Sequence, residues 1–226
     1  MTIDSPGPPS AAAIQRAAGE FALAVSSEQI LHIQQFTEIL LAWNDKINLT
    51  AIRDPLEILY RHFCESMYGA TVLPVEKCRL ADVGSGAGFP GLALKIVRPD
   101  LELFLVESNV KKATFIAEVI RELGLTDAKV LVSRFEELGE EVAPLDFVCS
   151  RALGDFSQFL GWAGSPQVLA RNALLWLGRR DLDDVRAVRG WEWEAPIPMP
   201  HSLQRVLLRG TPAETEATDG ETAKSS

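Results

Sequence analysis

Leu80-Ala81-Asp82-Val83-Gly84-Ser85-Gly86-Ala87-Gly88-Phe89-Pro90-Gly91 follows a short apolar run with four glycines in eight residues. The apolar run reads as a strand ending at Val83, the glycines as a turn, and Pro90 as the first position of a helix. Glycine reaches positive φ without steric cost and leaves no side chain between main chain and ligand. A helix that follows points free N–H groups at any bound anion. Strand, turn and helix together read as a cofactor cradle, with Asp82 as an acceptor at the strand's carboxyl end.

Two registers fit the same letters. Gly86-x-Gly88-x-x-Gly91 matches the dinucleotide fingerprint. Asp82-x-Gly84-x-Gly86-x-Gly88 looks like the D/E-x-G-x-G-x-G turn of S-adenosylmethionine-dependent methyltransferases, and the acid beside the first glycine favours it, being placed to meet the cofactor's ammonium group. Phe89 either lies over the cofactor or plugs the top of the sheet.

Leu101 to Glu107 is a second strand ending in an acid 19 residues after Gly88. That is one βαβ unit, in which a strand-end acid accepts hydrogen bonds from ribose hydroxyls; the alternative is a solvated carboxylate. Ser108 or Asn109 caps a helix through Ala113, Ile116, Ile120 and Leu123, ended by Gly124. Lys129–Ser133 and Leu145–Cys149 continue the alternation, which implies a doubly wound parallel sheet. Ligands bind beyond the carboxyl ends of such strands, so Asp82 to Phe89, Glu107, Arg134-Phe135-Glu136 and Ser150-Arg151 are the candidate site. The Arg151 guanidinium suits a phosphate, a guanine edge or a cofactor carboxylate, or an ion pair with Asp155 or Glu136. Ala173–Leu177 and Leu203–Leu208 supply further strands, the last as an antiparallel edge.

Composition fits one α/β domain: 226 residues, 47% hydrophobic, net charge −9. That charge gives no support for non-specific nucleic-acid binding, so an RNA-directed reading needs a local basic face. No apolar stretch approaches the ~18 residues of a membrane span, and there is no basic start with an apolar segment, so a cytoplasmic location is expected. Cys64, Cys78 and Cys149 are odd in number and lack C-x-x-C spacing, which argues against a disulfide framework and against a metal site. Boundaries fall at 1–20, a disordered N-terminus; 21–75, a helical extension; 76–210, the cofactor domain; and 211–226, a disordered acidic tail.

The extension has its own signals. Ser26-x-x-Gln29 is a capping box before Ile30, Ile33, Phe36 and Leu40, and Asp54-Pro55-x-Glu57 starts a second helix through Tyr60, His62 and Cys64. Between them, Asn48 and Arg53, with Arg61 and His62 nearby, are candidates to face an anionic substrate. A polar interhelical connection and a satisfied helix histidine are the plainer readings.

The chain resembles the bacterial small-subunit ribosomal RNA guanine-N7 methyltransferases, the glucose-inhibited division protein B family. The matching residues are Trp43-Asn44-x-x-Ile47 through Pro55, Arg61-His62-x-x-Glu65-Ser66, Asp82 through Gly91, Arg98-Pro99, Glu107-Ser108, Lys111-Lys112, Arg134-x-Glu136-Glu137 and Ser150-Arg151-Ala152. The resemblance implies a Rossmann-like class I methyltransferase with a mostly parallel twisted sheet, helices on both faces and a helical N-terminal extension. It implies S-adenosylmethionine as cofactor, contacted by Gly84, Phe89, Phe135, Glu136 and Arg151, beside Asp82, Gly86 and Glu107 from the motif reading. The implied substrate is 16S ribosomal RNA, in the small subunit or an assembly intermediate, and the enzyme is expected to be a monomer. Two departures stand out: Glu65-Ser66 where the family usually has Asp-Ser, and Leu177-Gly178 where it has Lys-Gly. Arg179 and Arg180 are candidates to replace that lysine.

Guanine N7 has an in-plane lone pair and attacks a sulfonium methyl without first losing a proton. No general base is needed, which suits a chain with three histidines and no obvious dyad. The catalytic residue is therefore unassigned, with Arg151, Asn48, Arg53 and His62 as substrate-side candidates. Cys149 lies at an apolar strand end and reads as packing. A small-molecule methyltransferase, a non-catalytic RNA-binding or ribosome-assembly protein, and an NAD-dependent oxidoreductase remain the alternatives.

Overall fold

The computed structural model describes residues 7–151 and 154–213. Three helical stretches precede the sheet: α1 (Ala11–Glu20), α2 (Ser27–Asn44), and α3 (Pro55–Ile58), which runs through a π-helical segment, Leu59–Cys64, into α4 (Glu65–Tyr68). The capping box of α2 forms as expected, with Ser26 Oγ accepting from Gln29 N and Gln29 returning the bond. Asp54 caps α3, and Pro55 takes its first position.

The sheet alternates with helices: β1 (Arg79–Val83), α5 (Gly91–Val97), β2 (Glu102–Val106), α6 (Val110–Glu122), β3 (Ala128–Leu131), β4 (Phe147–Ser150), α7 (Phe156–Ala163), β5 (Ala173–Gly178), α8 (Leu182–Arg186), β6 (Trp191–Trp193), β7 (Ile197–Pro198) and β8 (Arg205–Pro212). Its order is β3-β2-β1-β4-β5-β8-β6, with β7 also on β8. The first five strands are parallel, and β8 joins antiparallel. Successive side chains point to opposite faces, which divides the core in two. Leu80, Leu103, Leu105 and Leu174 pack towards α2, α5 and α6, while Ala81, Val83, Phe104 and Leu175 pack towards α7.

The architecture agrees with the expected α/β class, but several boundaries do not. The expected disordered N-terminus contains α1, because Ser10 caps it and Ile14, Ala17 and Ala18 are buried against the later helices. Pro90 stands at the N-cap of α5 rather than at its first position, its carbonyl accepting the Leu94 N–H at 3.0 Å, and the Asp82 side chain accepts the free N–H of Gly91. β8 is not an edge strand, because β6 and β7 pair with its outer side, and the β6 pairing carries it into Thr211 and Pro212, past the expected domain limit. The acidic residues of the expected tail lie outside the described residues.

Candidate active site

The glycine turn closes β1 onto β2. Gly84 and Ser85 both donate to the carbonyl of Val106, and Gly84, Gly86 and Gly88 sit at φ +72°, +56° and +81°. A side chain at Gly86 would be strained by its φ, and a Cβ at Gly91 would come within 2.7 Å of Asp82 Oδ2 and 2.9 Å of Leu105. Glu107 braces the turn. Its Oε2 accepts the Gly86 N–H (2.9 Å) and its Oε1 the Asn109 N–H (2.8 Å). Each oxygen keeps a lone pair for another donor.

Asp82 supports the turn from inside the fold. It is fully buried behind the turn, its Oδ2 accepts the Gly91 N–H at 3.0 Å, and its Oδ1 faces the Cys149 thiol at 3.9 Å. Burial pushes its pKa up to about 7, against the opposing pull of the Gly91 and Ser85 hydrogen bonds.

In front of the turn lies a pocket of about 200 Å³ at the ends of β1, β2 and β3. It gathers Gly84, Glu107, Phe135 and Glu136, four of the expected cofactor positions, together with Ser108. Phe89 is elsewhere. Its ring is stacked between Phe36 (5.0 Å, 7°) and His62 (5.0 Å, 22°), with Phe63 edge-on, so of its two readings the plug is the one adopted. It fastens the turn to the helical extension.

Arg151 follows β4, beside β1, but its guanidinium turns into the extension. One terminal nitrogen donates to Ser66 Oγ (2.8 Å) and to the His62 carbonyl (3.3 Å), and the other to the Arg61 carbonyl (2.8 Å). In a π-helical turn the backbone bonds run i→i+5, which reshapes the carbonyl row at the point where Arg151 meets it. Its ionic partner is Glu65 (3.8 Å), which also pairs with Arg205 of β8 (2.5 Å). The expected partners Asp155 and Glu136 are engaged elsewhere: Asp155 caps α7, and Glu136 lines the small pocket. Burial lowers the Arg151 pKa to about 10, which leaves it charged at neutral pH, while burial raises that of Glu65 against the pull of both arginines.

Sequence reasoning missed the Glu65–Arg205 contact, although Glu65 was in view as a departure. Of the two arginines named as candidates to replace the lysine, Arg179 bonds the Leu203 carbonyl, and Arg180 is exposed beside Asp181. Arg205, opposite Gly178 in the register, brings the cation to Glu65.

The remaining substrate-side candidates do not converge. His62 Nε2 bonds Thr50 Oγ1 at 2.8 Å, and burial, with Arg151 and Arg61 nearby, drives its pKa down to about 3, so the ring is neutral. Arg53 is exposed and paired with Asp45 (2.9 Å), and Asn48 is exposed. Their loop is shaped by Asn44, which bonds the backbone of Leu49 and Thr50. Cys149 is buried with its thiol pKa pushed up, the state of a packed rather than a reactive cysteine.

Residues 29–188 match the family model described as rRNA small subunit methyltransferase G. A ribosomal RNA small subunit methyltransferase G from Dichelobacter nodosus is 40% identical over 152 residues, 67% of this chain and 71% of that protein. One from Chloroflexus aggregans is 36% identical over 195 residues, covering 81% and 82%. Among solved structures, a SAM-dependent methyltransferase from Aquifex aeolicus aligns with TM-score 0.56 at 14% identity, over 76% of this chain and 98% of that one. A ribosomal protein L11 methylase from Lactobacillus delbrueckii aligns with TM-score 0.56 at 12% identity, over 69% and 80%. These two support the fold alone.

Proposed function

The chain belongs to the rRNA small subunit methyltransferase G family, and from that premise we propose that it methylates N7 of one guanine in 16S ribosomal RNA with S-adenosylmethionine. The observation that carries the reading is the glycine turn braced by Glu107 in front of an open pocket. The residues fit the cofactor. Glu107 has lone pairs left for the ribose hydroxyls, Phe135 offers a ring face or edge beside the pocket, and the positive-φ glycines let a ligand approach the main chain. Bound there, S-adenosylmethionine supplies an electrophilic methyl group on a sulfonium.

The chain's own task is to orient. N7 attacks with a lone pair and has no proton to lose, so the rate comes from holding the reacting atoms in line, an effect reaching roughly 7–11 kcal/mol in favourable systems. A neutral, inward-facing His62 and a protonated Cys149 suit a reaction that asks for neither a general base nor a covalent nucleophile. The RNA major groove is too narrow for side chains, so the guanine is taken from a loop or splayed out of its stack. The reading places the enzyme in the cytoplasm, acting on the small subunit or an assembly intermediate, as a monomer; no helix among the described residues is long and apolar enough to cross a membrane.

Calorimetry with S-adenosylmethionine and with NAD, followed by methyl transfer from labelled cofactor to unmodified small subunits, large subunits and transfer RNA, tests this. Binding of S-adenosylmethionine alone and label confined to 16S RNA are expected. NAD binding, or label on another RNA, overturns the reading.

A further inference from the structure

We propose that the cleft between α7 and α8 takes the extruded guanine, and that Asp155 and Asp184 read its Watson–Crick edge. This rests on the N7-methylation reading above. The cleft measures about 580 Å³, within the range of small-ligand sites, and opens at the ends of β4 and β5. Ser150 and Arg151 form its wall towards the glycine turn, and Ser150 Oγ donates to the Val83 carbonyl at 2.8 Å, tying the end of β4 to the end of β1. A base seated here lies on the strand next to the one that carries the cofactor turn.

The chemistry of attack decides which edge of the base the protein can hold. N7 must face the methyl group, so the N7/O6 edge is committed to the reaction. Identity then has to be read on the opposite edge, where guanine presents two adjacent donors, N1–H and the 2-amino group. Adenine and cytosine each place an acceptor there. Carboxylates are the matching side chains, and they repel the wrong bases as well as holding the right one.

The cleft is built for donors rather than for phosphate. Arg151 directs its terminal nitrogens away into the extension, and Arg180 is 92% exposed and paired with Asp181. That leaves Asp155, at the start of α7, and Asp184, on α8, beside the Asp181 that Arg180 approaches. Asp155 is fixed by its capping bond, Oδ1 accepting the Gln158 N–H at 3.0 Å, so its second oxygen is free for a ligand. Asp184, on α8, makes no ion pair among the described residues. Phe156 and Trp176 add apolar surface for a base face. A phosphate entering this cleft would meet three carboxylates, Asp155, Asp181 and Asp184, against the one exposed guanidinium of Arg180.

The test compares small subunits carrying guanosine or inosine at the methylated position, inosine lacking only the 2-amino group. The wild-type protein is expected to prefer guanosine by about tenfold in kcat/KM, the size of a well-placed hydrogen-bonded base contact. Asp155→Asn and Asp184→Asn are each made; asparagine keeps the helix cap, so Asp155→Asn leaves the fold intact. At least one variant should compress the guanosine-to-inosine ratio threefold or more, with affinity for S-adenosylmethionine and melting temperature unchanged. An unaltered ratio in both variants overturns the subsite while leaving N7 methylation standing. No transfer by the wild type to either substrate overturns the parent reading, and the subsite with it.

Discussion

Replacing Arg151 by alanine should destabilise the protein, not merely slow it. The guanidinium makes two short bonds, to the fully buried Ser66 hydroxyl and to the Arg61 carbonyl, each at 2.8 Å, and stands 3.8 Å from the buried Glu65. Hydrogen bonds from a charged donor contribute about 1.5–3 kcal/mol each, and breaking a buried ion pair costs about 3–5 kcal/mol. The loss falls below that sum, because Glu65 keeps Arg205 and the Arg151 contact is long. We therefore expect about 2–4 kcal/mol. At roughly 2–4 °C per kcal/mol for a chain of this size, melting drops by about 5–15 °C. Differential scanning calorimetry reads it directly, and Arg151→Lys should recover only part, since one ammonium cannot span acceptors arranged for a fork. A melting temperature within about 1 °C of wild type would refute the view that Arg151 clamps the helical extension to the sheet.

Glu107→Ala removes the acceptor of the Gly86 N–H, and S-adenosylmethionine binding should weaken by about 1–3 kcal/mol; an unchanged dissociation constant in calorimetry leaves Glu107 a brace of the turn with no part in cofactor binding. Gly86→Val forces a branched residue to φ +56°, and it should abolish cofactor binding while costing roughly 1–3 kcal/mol of stability; a soluble variant with normal affinity counts against the cradle. Asp82 has its folded pKa raised to about 7 from 3.8. Between those values the unfolded chain ionises this group before the folded one does, so it costs the fold stability progressively up to about pH 7 and nothing further above. The melting temperature of Asp82→Asn minus that of wild type should thus rise from pH 4.5 to 7 and then level; a flat difference contradicts the buried, proton-holding carboxyl.

The glycine turn, the strand-end acid and the helix caps were legible because each depends on local chemistry: positive φ at Gly84, Gly86 and Gly88, the one-unit spacing to Glu107, the Ser26–Gln29 box. That the turn and the acid meet at the carboxyl ends of neighbouring strands follows from parallel topology. What the sequence could not give is contact across long separations. Arg151 meets Ser66 85 positions away, and no local pattern announces it. Phe89 was ambiguous because an aromatic beside a glycine turn is equally at home over a ligand or in a core; Phe36 and His62, from the extension, settle the choice. Helix α1 was misread because alanine and proline near a terminus resemble a tail, and only the burial of Ile14 shows otherwise.

The central claim is tested most directly by mapping N7-methylguanosine in 16S ribosomal RNA from cells with and without this protein, using chemical cleavage at the modified base. The account predicts one site that disappears when the gene is deleted, returns with the wild-type protein, and fails to return with Gly86→Val. An unchanged cleavage pattern on deletion would contradict it.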